Sequence, residues 1–66
     1  MKNTIKVERA KKSWTQADLA EKIGVSRQAI NSIETGRFVP STVLALKMAK
    51  AFQTAVEEIF QLEEVD

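Results

Sequence analysis

Cysteine and histidine are both absent from this chain of 66 residues. Without them the chain can form no disulfide framework, no thiolate or imidazole zinc site, and no Cys or His nucleophile. No apolar run approaches the roughly 20 residues of a membrane-spanning helix, and the lysine-rich start lacks the apolar segment of a signal peptide. We therefore expect a cytoplasmic protein that is not an enzyme, does not enter a membrane, and needs no cofactor or metal.

Glycine and proline are scarce, with two and one residues respectively, so their positions are informative. Gly24 separates two short amphipathic patterns and Gly36 follows the second one. Glycine enters the left-handed backbone region at no steric cost, which suits it to the position just past a helix end. Pro40 prevents Val39 from being helical. The sequence thus predicts a turn at Gly24 and a longer break before Ser41.

The net charge of +1 hides an uneven distribution along the chain. Residues 1–40 carry eight basic and four acidic side chains, a net +4, whereas residues 41–66 carry two basic and five acidic side chains, a net −3. A basic end favours a nucleic-acid partner, although charges on small domains often only solvate a face.

A chain of this length is expected to form one small domain, residues 1–66, with a marginally stable core. Dimerisation would add stability to such a domain. We expect no small-molecule effector, because no second domain is left to bind one.

Apolar residues spaced three and four apart predict five short helices. The first ends near Lys12, and Trp14 then covers the junction of the first helices, with base stacking as the less favoured role. Thr15 and Asp18 form a capping box for the second helix, and Ser26 caps the third.

The fourth and fifth helices follow the break at Pro40. Ser41 is the predicted N-cap of the fourth helix. Thr54 and Glu57 are predicted to form a second capping box, which would start a fifth helix that runs to about Phe60.

Residues 16–35, the two patterns around Gly24, are the centre of the predicted fold. Their apolar sides should pack together, through Leu19, Ala20, Ile23, Ile30 and Ile33. The second of these helices would expose hydrogen-bonding side chains on its other side, namely Gln28, Asn31, Ser32 and Thr35, with Arg27 at the margin. Protein-binding surfaces are instead rich in aromatic and aliphatic anchors.

The tail, residues 60–66, alternates apolar and polar side chains, which is the period of a strand. It can pair with residues 1–4 as an antiparallel ribbon that depends on packing against helices, or it can be a frayed acidic tail. The sequence leaves both open. A dimer interface is expected in a C-terminal region of about residues 43–66, with four candidate residues, Val43, Ile59, Phe60 and Leu62.

These residues carry a family resemblance. Residues 16–35 resemble the helix-turn-helix of the Cro and lambda-repressor-like DNA-binding proteins, the XRE family, with Ala20 where the two helices would cross and Gly24 four residues later. The resemblance extends through Pro40 and Ser41 to the end of the fifth helix. It implies an all-α fold, the five-helix lambda-repressor-like DNA-binding domain, and is strongest to the small stand-alone dimeric regulators of the family.

The resemblance also implies which residues contact double-stranded DNA. In the family the third helix lies in the major groove. The matching positions that face base edges are Arg27, Gln28, Asn31 and Ser32, whose side chains can bond to bases. Those implied for backbone contacts are Gln16, Ser26, Thr35 and Arg37. We expect Phe38 to fill a pocket beneath the loop rather than meet sugars.

Two further features concern structure rather than DNA. The family pairs the residues matching Arg9 and Glu34, so we predict an ion pair here, with two separately solvated charges as the alternative; exposed pairs contribute about 0 to 1 kcal/mol. Ser13 and Gln53 stand where the family often has glycine. Each must adopt a left-handed backbone at some cost or end its helix differently.

The predicted function is that of a homodimeric, sequence-specific DNA-binding transcriptional regulator, and within that class a repressor that binds a near-palindromic operator. The alternative is an antitoxin or other protein-interaction module of the same fold, for which DNA binding is secondary. An enzyme using Glu57 and Glu58 is disfavoured, because adjacent side chains on a helix diverge.

Overall fold

Five helices and two short strands make up the computed structural model, which describes residues 1–66. The helices are α1 Ile5–Lys12, α2 Gln16–Ile23, α3 Arg27–Glu34, α4 Thr42–Phe52 and α5 Val56–Ile59. The strands are β1 Lys2–Asn3 and β2 Phe60–Gln61, paired antiparallel with Lys2 opposite Gln61 and Asn3 opposite Phe60. The five-helix all-α fold is confirmed, and the chain ends pair as a ribbon. No helix is both long enough and apolar enough to cross a membrane.

Side-chain oxygens begin three of the helices, as predicted. At the start of α2, Thr15 Oγ1 accepts from the Asp18 N–H at 3.0 Å, while Asp18 Oδ2 accepts from the Thr15 N–H at 2.9 Å. These bonds from Thr15 hold the pKa of the Asp18 carboxyl below its ordinary value. Ser26 caps α3 and Ser41 caps α4 through their hydroxyl oxygens, at 3.1 Å and 3.2 Å.

The predicted capping box of α5 is wrong. The N-cap of α5 is Ala55, which makes no side-chain cap bond, and the helix is a single turn that ends at Ile59. Thr54 cannot serve as the cap because its N–H closes the preceding helix by donating to the Ala49 carbonyl at 3.1 Å. The start of α5 is therefore displaced by one residue.

Four residues in the left-handed region end the first four helices. Gly24 and Gly36 have φ of 75° and 80°, as expected for glycine, but Ser13 and Gln53 adopt φ of 59° and 55°. Beside Ser13, the Trp14 N–H donates to the Arg9 carbonyl at 2.9 Å and the Ser13 N–H donates to Ala10 at 3.1 Å. These bonds satisfy the last carbonyls of α1 and hold the strained residue in place.

All ten buried residues are apolar and form one core. They are Ile5, Leu19, Ala20, Ile23, Ile30, Ile33, Met48, Phe52, Ile59 and Phe60. Trp14 is half-buried against this core and stacks on Phe52 with ring centroids 5.6 Å apart, while Lys22 Nζ lies 4.6 Å from the Trp14 ring. Trp14 therefore belongs to the hydrophobic packing.

Replacing Ser13 by glycine should stabilise the protein. The left-handed conformation costs a residue with a Cβ roughly 1–2 kcal/mol, whereas glycine loses only about 0.5–1 kcal/mol through its greater freedom in the unfolded chain. We expect Ser13→Gly to raise the free energy of unfolding by about 0.5 kcal/mol, measured by urea titration with circular dichroism. Ser13→Ala keeps the Cβ and should give no gain; equal values for the two variants would contradict the strain at this position.

Candidate nucleic-acid interface

The buried contact between α2 and α3 sets the position of α3. Leu19, Ala20 and Ile23 of α2 are buried with Ile30 and Ile33 of α3. A small side chain at position 20 lets the two helices approach closely. One side of α3 therefore lies in the core, and its other side is directed to solvent.

The exposed side of α3 divides into two rows, because residues four apart lie one above the other on a helix. Arg27 and Asn31 form the row nearer to the start of α2, where both contact Gln16. Gln28 and Ser32 form the row nearer to the loop after α3, where both line a groove with Arg37. All four predicted base-contacting residues are thus brought together on one surface.

Gln16 holds the first row through its side-chain amide. Its Nε2 donates to Asn31 Oδ1 at 3.2 Å and to Glu34 Oε1 at 3.4 Å, while its Oε1 accepts from Arg27 Nη1 at 3.3 Å. Two of the predicted base-contacting side chains are therefore oriented before any DNA is bound. The N–H of Gln16 lies in the first turn of α2, where such groups have no partner within the helix.

Glu34 connects this network to α1 through the predicted ion pair with Arg9. Arg9 Nε lies 2.7 Å from Glu34 Oε2 and Arg9 Nη2 lies 3.0 Å from Glu34 Oε1, so the contact is bidentate. Arg9 Nη1 also donates to the Trp14 carbonyl at 3.0 Å. The hydrogen bonds to Glu34 raise the pKa of the Arg9 guanidinium above its ordinary value.

The Arg9–Glu34 pair is more enclosed than an ordinary surface pair. The two side chains are only 14% and 8% exposed. The expected contribution of about 0 to 1 kcal/mol applies to solvated pairs, and it is too small for a bidentate pair at this depth.

Asn3 is a positioning residue that the sequence analysis did not identify. Its Nδ2 donates to the Ile33 carbonyl at 2.9 Å, and its Oδ1 accepts from the Ile5 N–H at 3.2 Å. The terminal ribbon is therefore fastened to the end of α3 and to the start of α1. An asparagine in a short polar segment gives no local signal of such a distant contact.

The loop after α3 is fastened to the second row. Gly36 turns the chain back, so that the N–H groups of Arg37 and Phe38 both donate to the Ser32 carbonyl, at 2.9 Å and 3.2 Å. An open groove of about 420 Å³ lies between this loop and α3, and it is lined by Ser26, Gln28, Ala29, Ser32, Arg37 and Phe38.

The prediction that Phe38 fills a pocket beneath the loop is wrong. Its side chain is 55% exposed and lines the open groove. The two bonds to Ser32 hold the backbone of Phe38 at the surface of α3, so the ring cannot reach the core.

The other predicted backbone-contacting residues differ in the hydrogen bonds that they have free. The Ser26 hydroxyl accepts from Ala29, which leaves its own hydrogen available. The Thr35 hydroxyl already donates to the Asn31 carbonyl at 2.9 Å, and the Thr35 N–H donates to the same carbonyl at 3.0 Å. A phosphate oxygen accepts only, so Thr35 would have to give up a bond to contact it.

Two of the four candidate dimer residues are not available to a partner. Ile59 and Phe60 are buried within the core of this chain, because α5 and β2 pack against it. Val43 and Leu62 are exposed. Leu46 is also exposed and was missed, although its position one turn after Val43 places it on the same side of α4.

Comparison with known families places these features in context. The sequence profile of a family described as helix-turn-helix matches residues 5–59. An uncharacterized HTH-type transcriptional regulator of Methanocaldococcus jannaschii is 52% identical over 64 residues, which cover 97% of each protein. The uncharacterized HTH-type transcriptional regulator YgzD of Bacillus subtilis is 48% identical over 64 residues with the same coverage.

Solved structures show the same architecture. The restriction-modification controller protein C.AhdI from Aeromonas hydrophila matches with a TM-score of 0.78 and 30% identity, over 85% of each chain. A hypothetical transcription factor from Neisseria matches with a TM-score of 0.77 and 28% identity, over 82% of this chain and 61% of that one.

Breaking the Arg9–Glu34 pair should destabilise the fold strongly. Arg9→Met keeps much of the packing of the arginine stem but leaves the enclosed Glu34 carboxylate without its cation, which should cost about 2–3 kcal/mol in urea unfolding. The matched control is Lys11→Met, since Lys11 forms an exposed pair with Glu8 at 3.1 Å. That variant should lose less than about 0.5 kcal/mol. Equal losses would show that the enclosed pair has no special structural role.

Proposed function

Because this chain belongs to the helix-turn-helix family of DNA-binding transcriptional regulators, we propose that it is a homodimeric repressor that reads a near-palindromic operator through α3. The observation that carries this proposal is the exposed face of α3, whose hydrogen-bonding side chains are held by Gln16 and, through Glu34, by α1. Within residues 1–66, residues 16–35 are the DNA-reading part.

The chemistry of the two rows suits base edges in the major groove. An arginine can donate two bonds to guanine, asparagine and glutamine can each make paired bonds to adenine, and serine can bond to either purine. Arg27 and Asn31 would act from the row that Gln16 holds, and Gln28 and Ser32 from the row beside the groove.

Backbone contacts would come from both ends of this surface. The N–H of Gln16 and the Ser26 hydroxyl offer donors at the starts of α2 and α3, and Arg37 offers a charged donor on the loop after α3. Thr35 would contribute only after releasing the Asn31 carbonyl. Charged contacts of this kind make affinity fall as salt rises.

Two copies would be needed to read both halves of the operator. In the lambda and 434 repressors, two recognition helices enter successive major grooves about 34 Å apart, and we propose the same arrangement here. The proposed dimer surface lies within residues 43–66 and its approach. It consists of exposed apolar side chains around a groove of about 260 Å³ between α4 and the chain ends, namely Val39, Val43, Leu46 and Leu62.

Removing a base-reading side chain should weaken specific binding. We expect Arg27→Ala or Gln28→Ala to cost about 1 kcal/mol or more, about fivefold in Kd, on sites selected from a random duplex pool. Binding is measured by gel shift at fixed salt. Lys50→Ala, which removes a positive charge from the outer side of α4, is the control and should change Kd less than twofold. If neither α3 variant has an effect, the assignment of base contacts is wrong.

Placing charges in the proposed dimer surface should separate the subunits. The double variant Val43→Asp/Leu46→Asp should sediment as a monomer at micromolar concentration, where the unmodified protein is dimeric, because two carboxylates from each copy would be desolvated on association. Val7→Asp introduces a charge at an exposed valine of α1 and should leave the dimer intact. An unmodified protein that is monomeric yet binds a palindromic operator tightly would contradict the proposed dimer.

A further inference from the structure

We propose that Ala29 and Phe38 form an apolar contact for the 5-methyl group of a thymine, so that the groove beside α3 reads a methyl group as well as hydrogen-bonding atoms. This inference rests on the proposed function, because it names a further specificity contact of the same DNA-reading surface. Neither residue is among those whose polar side chains suggest base contact.

Phe38 is unusual because its ring is exposed while its backbone is fixed. More than half of its side chain is open to solvent, yet its N–H is bonded to the Ser32 carbonyl of α3 at 3.2 Å. The neighbouring Arg37 is held by the same carbonyl at 2.9 Å. The ring is therefore presented at a set position beside α3 and pays little ordering cost on binding.

The composition of the groove fits the major-groove edge of an A·T pair. Ala29 and Phe38 are its two apolar residues, and the polar ones include Gln28 and Ser32. Thymine presents its O4 acceptor next to its methyl group, and the paired adenine presents the N6 and N7 atoms that a glutamine amide can bond. Gln28 or Ser32 can thus bond polar atoms of the pair while the methyl group meets Ala29 and Phe38.

The surroundings of Phe38 favour DNA over a protein partner. Arg37 also lines the groove and supplies positive charge next to the ring, which complements phosphates. The groove volume of about 420 Å³ far exceeds a single methyl group, so the edge of a base pair can enter. A deoxyribose could also enter, but a sugar contact would not depend on the thymine methyl group.

The test removes only the methyl group. In the operator selected from a random duplex pool, each thymine is replaced in turn by deoxyuridine, which keeps every hydrogen-bonding atom, and Kd is measured by fluorescence anisotropy at fixed salt. One symmetry-related position in each half-site should lose about fourfold in affinity, the change expected for exposing one methyl-sized apolar group. Restoring a methyl group to that position as 5-methyldeoxyuridine, which is thymidine, gives the reference value.

The protein variant identifies the residue that makes the contact. Phe38→Ala should bind the thymine and deoxyuridine operators equally, because the wall that distinguishes them is gone. Val7→Ala, at a valine of α1 that is 54% exposed, is the matched control and should keep the fourfold difference. Circular dichroism confirms that both variants are folded.

Three outcomes would overturn the inference while leaving the proposed function intact. They are specific binding that deoxyuridine weakens at no position, half-sites that contain no thymine, and a Phe38→Ala variant that keeps the full discrimination. Failure to recover any specific duplex from the pool would instead overturn the proposed function itself.

Discussion

The pair of hydrogen bonds between Arg9 and Glu34 joins three helices at one point. Arg9 belongs to α1, Glu34 ends α3, and Gln16 at the start of α2 donates to the same carboxylate. A bidentate guanidinium contact fixes direction as well as distance. The polar face of α3 therefore has its orientation set by the same carboxylate that closes the frame behind it, and a shift of α1 would be transmitted to Arg27 and Asn31 through Gln16.

The ends of the chain reinforce this frame from the other side of α3. The ribbon places Asn3 against the Ile33 carbonyl, and the Thr4 N–H and hydroxyl each donate at 2.8 Å, to Ile59 and Glu58 respectively. A two-residue ribbon would not persist alone in water. Here its strands are stabilised by the adjoining core residues Ile5, Ile59 and Phe60, so burial rather than strand length holds the termini together.

The sequence is sufficient to predict features that depend on neighbouring residues. Spacing and caps located α1 to α4, and the core positions of α2 and α3, because a helix face and an N-cap are local properties. The errors all concern competition between distant or successive elements. Thr54 was already committed to ending α4, Ile59 and Phe60 were taken into the core, and two bonds to Ser32 kept Phe38 at the surface. Asn3 shows the same limit, since its partner lies 30 residues away.

The two rows of α3 differ in how much freedom they retain, and that difference has consequences for DNA recognition. Gln16 occupies Arg27 Nη1 and one lone pair of Asn31 Oδ1. The remaining donors of the guanidinium, the Asn31 amide donors and its second oxygen lone pair stay free to face a base edge. This row thus enters the groove with part of its side-chain entropy already lost on folding, which lowers the cost of binding. Gln28 has no such brace. Its row must obtain discrimination from the shape of the groove wall, which explains why an ordered apolar surface beside it would matter.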